Sequence, residues 1–166
     1  IGAVIKGEYT IIPTGEYVFE EGDKVFILGK PKLVESIIEK CSECQRIRKV
    51  MIIGASNTAV QLAKMLERSM SVKLIDNDTK RCEEISKILQ KTLVINGNIM
   101  DLSLLKDEGI GDVDAFISLT KYDQLNLFSC LIGKYLGASK TISRVENLEL
   151  IRFFEDMGID IALSPK

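Results

Sequence analysis

The reading of the fold turns on Lys49-Val50-Met51-Ile52-Ile53-Gly54-Ala55-Ser56-Asn57-Thr58-Ala59-Val60-Gln61-Leu62-Ala63-Lys64-Met65-Leu66. A short β-branched apolar run enters a Gly-led turn, then becomes a segment in which Ala59, Leu62, Ala63 and Leu66 recur at helical spacing. The same order repeats downstream. Further strands are predicted at Val72–Ile75, Thr92–Ile95, Ala115–Ser118, Thr141–Ser143 and Ile159–Ala162. Helices are predicted at about Asn57–Ser69, Thr79–Leu89, Asp101–Asp107, Gln124–Leu136 and Leu148–Met157. Six strands alternating with five helices imply an α/β fold, a doubly wound parallel sheet with helices on both faces.

Upstream the pattern changes. Tyr9–Ile12 and Lys24–Leu28 read as strands separated by turns at Pro13-Thr14-Gly15 and Glu21-Gly22-Asp23, and one helix follows at about Lys32–Ile38. Residues 1–40 are expected to be the end of a small, partial α+β subdomain, too short for an independent core. Residues 41–48 are the expected linker and 49–166 the α/β domain. The 166 residues suit one full domain plus a fragment of a second, and the start at Ile1 rather than Met suggests a piece of a longer protein.

Composition narrows the function. Apolar residues make up 46% and charged residues 28%, the profile of a globular protein. The 22 Lys and Arg against 24 Asp and Glu give a net charge of −2, so there is no basic excess for a phosphate backbone and nucleic acid is not an expected partner. No apolar run approaches the ~20 residues that cross a bilayer, and the first residues lack the layout of a signal peptide. The chain has no His, which removes the commonest general base and metal ligand.

The turn Gly54-Ala55-Ser56-Asn57-Thr58-Ala59 lies where Rossmann-like dinucleotide-binding folds carry Gly-x-Gly-x-x-Gly. Only the first Gly is present. Ser56 brings a side chain to the point of closest phosphate approach, and Ala59 is an accepted replacement at the third position. The following helix still offers unpaired N–H groups, and Ser56 or Asn57 is placed to cap it or to donate to a phosphate. Asp76 ends the second strand 22 residues after Gly54, where an acid accepts from a ribose 2′-OH and repels a 2′-phosphate. Asp76-Asn77-Asp78 also reads simply as a turn and helix cap. Gly97-Asn98 follows the third strand, and Thr120, Asp123, Asn126 and Arg144 follow the fourth and fifth. All lie at carboxyl ends of strands, around the crevice where open α/β sheets bind ligands.

Other chemistry finds little support. Cys41-x-x-Cys44 lacks two further ligands for a zinc site, and as a redox pair it would follow a helix rather than open one, so incidental reduced thiols are expected. No Tyr is followed four residues later by Lys, and no His replaces that pair, so a hydride-transfer enzyme is not expected.

Taken together, these motifs resemble the N-terminal nucleotide-binding subdomain of the RCK family, the regulators of potassium conductance, and within it the peripheral regulatory subunits of Trk-type potassium uptake systems. The resemblance is carried by Val50–Gly54, Leu74–Asp78, Gly97-Asn98 with Asp101, Ser118–Asp123 with Asn126, and Ser143–Asn147. Residues 1–40 are similar to the end of the family's C-terminal subdomain through Ile11–Gly15 and Glu21–Gly29. The resemblance implies a non-enzymatic cytoplasmic protein, peripheral to the inner face of the membrane. It would form homodimers arranged in a ring on a potassium-translocating membrane subunit, regulated by NAD or NADH, or by ATP or ADP. It places Gly54 and Ser56 at the pyrophosphate, Asp76 at the adenosine ribose, and Asn98 and Ile99 at the adenine, with Ala55, Asn57, Thr58 and Asn77 also among the cofactor-binding residues. Arg144 would meet a phosphate or a neighbouring acid, and Thr120 and Asp123 would line the crevice. The chain departs from the family at Ser56 and Ala59, which replace two glycines, and at Asn98, where Asp is usual. The alternative is therefore a degenerate half that binds no cofactor and serves assembly alone.

Overall fold

The computed structural model describes residues 2–7, 9–40 and 47–165. The chain divides into two compact units, Ile1–Gln45 and Arg46–Lys166. The first holds strands β1 (Ala3–Lys6), β2 (Tyr9–Ile11) and β3 (Lys24–Phe26), with helix α1 at Pro31–Lys40. They form an antiparallel sheet in the order β2-β1-β3. The central strand, β1, has no counterpart in the sequence reading. It is four residues long and buries only Val4, so it carries too little alternation to be recognised. The Cys41–Cys44 pair and most of the expected linker lie outside the described residues.

The second unit contains β4 (Lys49–Ile53), α2 (Asn57–Leu66), β5 (Ser71–Asp76), α3 (Thr79–Ser86), β6 (Leu93–Asn96) and α4 (Leu102–Asp107). A short 3-10 turn at Ile110–Asp112 follows, then β7 (Ala115–Ser118), α5 (Asp123–Tyr135), β8 (Thr141–Arg144), α6 (Leu150–Asp156) and β9 (Ile161–Leu163). The six strands are all parallel, in the order β6-β5-β4-β7-β8-β9. This is the expected Rossmann-like sheet, and its order reverses between β4 and β7.

Both faces are covered because alternate residues of each strand feed two cores. Met51, Ile53, Ile75 and Phe116 pack with Leu105, Cys130 and Phe154 on one face. Val50, Ile52, Leu74 and Ile117 pack with Ala59, Ala63 and Ile85 on the other. Side chains that go to both faces make the central strand β4 a near-continuous apolar run, as parallel sheets favour.

Element ends differ from the sequence reading where side chains capture the backbone. Glu67, just past α2, accepts from the N–H groups of Gln90, Lys91 and Thr92 and from Thr92 Oγ1. That holds residues 90–92 as a loop, so β6 begins at Leu93 rather than Thr92 and α3 ends at Ser86 rather than Leu89. Likewise Asp160 holds Thr141 through its N–H and hydroxyl, and β9 starts only at Ile161.

Candidate functional site

The turn after β4 is built around Gly54. Its φ is +95°, a region L side chains avoid, and a Cβ there would stand 3.1 Å from the Thr120 backbone nitrogen. The loop after β7 thus closes directly on the loop after β4, at the point where strand order reverses. Ser56 caps α2, its Oγ accepting from Ala59 N–H at 3.2 Å. In the first turn Asn57 and Thr58, both exposed, retain N–H groups with no intrahelical acceptor.

Asp76 joins this turn to the end of β5. One carboxylate oxygen accepts from Ala55 N–H at 2.6 Å, the other from Asp78 N–H at 2.8 Å. A carboxylate has about four lone-pair sites, so each oxygen keeps room for a second donor. Asn77 is exposed beside it, and Asp78 caps α3 by accepting from Arg81 N–H.

Sequence reasoning did not single out Arg81, which stands over the same turn. Its Nε donates to Ala55 carbonyl oxygen at 3.0 Å, and a terminal nitrogen donates to Asn57 Oδ1 at 2.9 Å. The available signal was its place in the first turn of α3, three residues after the capping Asp78. The Ala55 peptide is therefore held on both sides, its N–H by Asp76 and its carbonyl by Arg81.

The turn after β6 lies next to this pair, since Gly97 N–H donates to the Asp76 carbonyl at 2.9 Å. Leu104 packs over Gly97, where a Cβ would meet only the end of that flexible side chain. Asn98 is exposed and folds back on Met100 N–H. The Ile99 side chain is buried in the core, so only its backbone can reach an adenine.

The remaining residues face inward. Asn126 is fully buried; its Oδ1 accepts from Ser118 Oγ, Thr120 N–H and Thr120 Oγ1, and its Nδ2 donates to the carbonyls of Thr120 and Arg144. Asp123 accepts from Glu146 and Asn147 N–H. Arg144 is paired with Glu146, and its Nε is buried without a partner. The structure thus brings Gly54, Ala55, Asn57, Asp76 and Thr120 together, whereas Asp123 and Arg144 are engaged with the segment after β8. Cys130 packs beneath, where burial pushes its thiol up to about 12 and keeps it protonated.

These features fit an adenosine ligand with phosphates: a turn opened by a glycine, open N–H donors at the start of α2, an acid with spare acceptor sites and a cation on the turn. The TrkA-N domain matches residues 50–165, and the TrkA-C domain matches residues 1–42. The chain belongs to the TrkA-N domain family. The resemblance to RCK proteins read from its motifs is thereby borne out.

Among curated relatives, the Trk system potassium uptake protein trkA homolog 1 of Methanosarcina mazei is 33% identical over 169 residues, covering all of this chain and 42% of that protein. The Trk system potassium uptake protein TrkA of Haemophilus influenzae is 36% identical over 170 residues, again over the whole chain and 36% of the relative. The chain therefore spans well under half the length of these TrkA relatives. Among solved structures, the GsuK RCK domain aligns with a TM-score of 0.70 and 20% identity, over 99% of this chain and 35% of that one. The GsuK channel bound to NAD aligns at 0.61, with 15% identity over 78% of this chain and 25% of that one. GsuK bound to ADP aligns at 0.60, with 23% identity over 70% and 30%. No helix among the described residues is long and apolar enough to cross a membrane.

Proposed function

We propose that this TrkA-N domain is a nucleotide sensor in a cytoplasmic regulatory subunit of a potassium uptake system, and not an enzyme. It binds NAD(H) or an adenine nucleotide at the ends of β4, β5 and β6. Ligand-dependent rearrangement of a homo-oligomer then gates the potassium-translocating membrane subunit, as a coupling free energy between the two sites. The observation that carries this reading is Asp76, fixed at the end of β5 against the Ala55 peptide with acceptor sites left for ribose hydroxyls. Support comes from relatives named for potassium uptake and from GsuK structures named for bound NAD and ADP. Both of those ligands contain adenosine 5′-diphosphate.

Calorimetric titration of the chain with NADH, NAD, ATP and ADP tests it. The expected result is saturable micromolar binding of at least one of these ligands, weakened at least about tenfold in Asp76→Ala as charge-assisted hydrogen bonds to the ribose are lost. Silence from folded wild-type protein overturns the sensor reading and leaves the domain a role in assembly. Ser56, in place of the second glycine, is the feature that favours that second reading.

A further inference from the structure

Arg81 brings a full positive charge to the turn that would hold the phosphates. Its Nε bond to Ala55 carbonyl oxygen seats the guanidinium on the turn, and the bond to Asn57 directs one terminal nitrogen toward the start of α2. The third bond, to Glu84 at 3.2 Å, is different in kind. The Glu84 side chain is 64% exposed, so this is a surface ion pair that gives way at little cost to a better anion. These three bonds use three of the five N–H donors of the guanidinium, leaving one on each terminal nitrogen. The other arginine at these strand ends, Arg144, is already paired with Glu146 on the far side of the reversal point. The Arg81 surroundings are acidic, with Asp76, Asp78 and Glu84 all within its reach or that of the same turn. An anionic ligand entering there needs compensation beyond the partial charge of a helix end.

We infer that Arg81 is a specificity-determining residue of the crevice. Its guanidinium reads the 5′-diphosphate shared by ADP and NAD(H), so that phosphorylated adenosine ligands are selected over adenosine itself. The inference rests on the nucleotide-sensor reading and assigns to Arg81 a phosphate contact; of the two partners the family resemblance offered Arg144, a phosphate or a neighbouring acid, it meets the acid, Glu146. A purely structural Arg81 would brace the Ala55 turn and so affect every ligand of the crevice alike, with or without phosphates. A charge-reading Arg81 affects only those that carry them.

The test uses the 166-residue chain as wild type, Arg81→Gln and Arg81→Lys. ADP and NADH are titrated by calorimetry and adenosine by NMR, with thermal melts confirming the fold. Arg81→Gln is expected to weaken ADP and NADH at least about tenfold and to leave adenosine within about twofold, as removal of a charge-assisted contact predicts. Arg81→Lys, which keeps the charge without the fork, is expected to fall between Gln and wild type for ADP. Should Arg81→Gln not fold, the ratio of ADP to adenosine affinity in Arg81→Lys decides, and a ratio equal to the wild-type one overturns the inference. So does an equal loss for adenosine and ADP, or no loss for either, while Asp76→Ala still abolishes binding; the sensor reading then survives. Wild-type protein that binds none of these three, nor NAD or ATP, overturns both.

Discussion

The two sides of the reversal point use polar residues in opposite ways. At the ends of β7 and β8, Ser118, Asn126 and Ser129 are fully buried and bonded to one another and to backbone, with Thr120 closing the network. At the ends of β4 and β5, Asn57, Asp78 and part of Asp76 remain at the surface, and the bonds they make leave donor or acceptor capacity unspent. One side sets shape; the other keeps chemistry available. The shared strand-end position therefore does not by itself mark a ligand contact. Whether a side chain's hydrogen-bonding capacity is already spent inside the protein is the better discriminator.

The sharpest way to break this contrast is Asn126→Ala. It leaves Thr120 N–H and the Thr120 carbonyl without their amide partner and removes one bond each from the Arg144 carbonyl and the Ser118 and Thr120 hydroxyls, and the expected loss is roughly 3 kcal/mol by denaturant unfolding. A loss under about 1 kcal/mol would mean that water replaces the amide and that the network does not set the shape.

A smaller effect is expected on the side that carries the turn. Burial works to raise the Glu67 carboxyl, but the bonds from Lys91, Thr92 and Gln90 outweigh it and hold it at about 2. The folded protein therefore binds this proton less readily than the unfolded chain does. The stability it contributes is complete above the ordinary value of 4.5 and is lost as pH falls from there toward 2. Glu67→Gln should cost about 2 kcal/mol at pH 7. Its unfolding curve should converge with wild type over that acid window, whereas the cost of Asn126→Ala, a neutral network, should not titrate. Parallel pH profiles for wild type and Glu67→Gln would show that the carboxylate does not anchor the segment before β6.

Much of this was legible in the sequence. β4, β5 and β7 were readable because each is a largely apolar run between turns, and the acid at Asp76 was placed by its distance from Gly54. What stayed hidden depends on long-range capture of backbone. Glu67 bonds a segment more than twenty residues away, so the true start of β6 has no local signal. Asp123 and Arg144 look like crevice residues in sequence, but only the fold shows that both are tied to the segment after β8, Asp123 by one donor on each oxygen and Arg144 by its pairing with Glu146. Arg81 was missed for the converse reason. Nothing local distinguishes it from any first-turn arginine until the Ala55 carbonyl is seen beneath it.

Amide NMR of the chain titrated with ADP tests the central asymmetry most directly, because it reports both sides of the reversal point at once. Saturable shifts are expected at residues 54–58 and 76–81, with Asn126, Ser129 and Ser143 nearly still. Shifts centred on the ends of β7 and β8, or no shifts in a folded sample, would contradict that asymmetry.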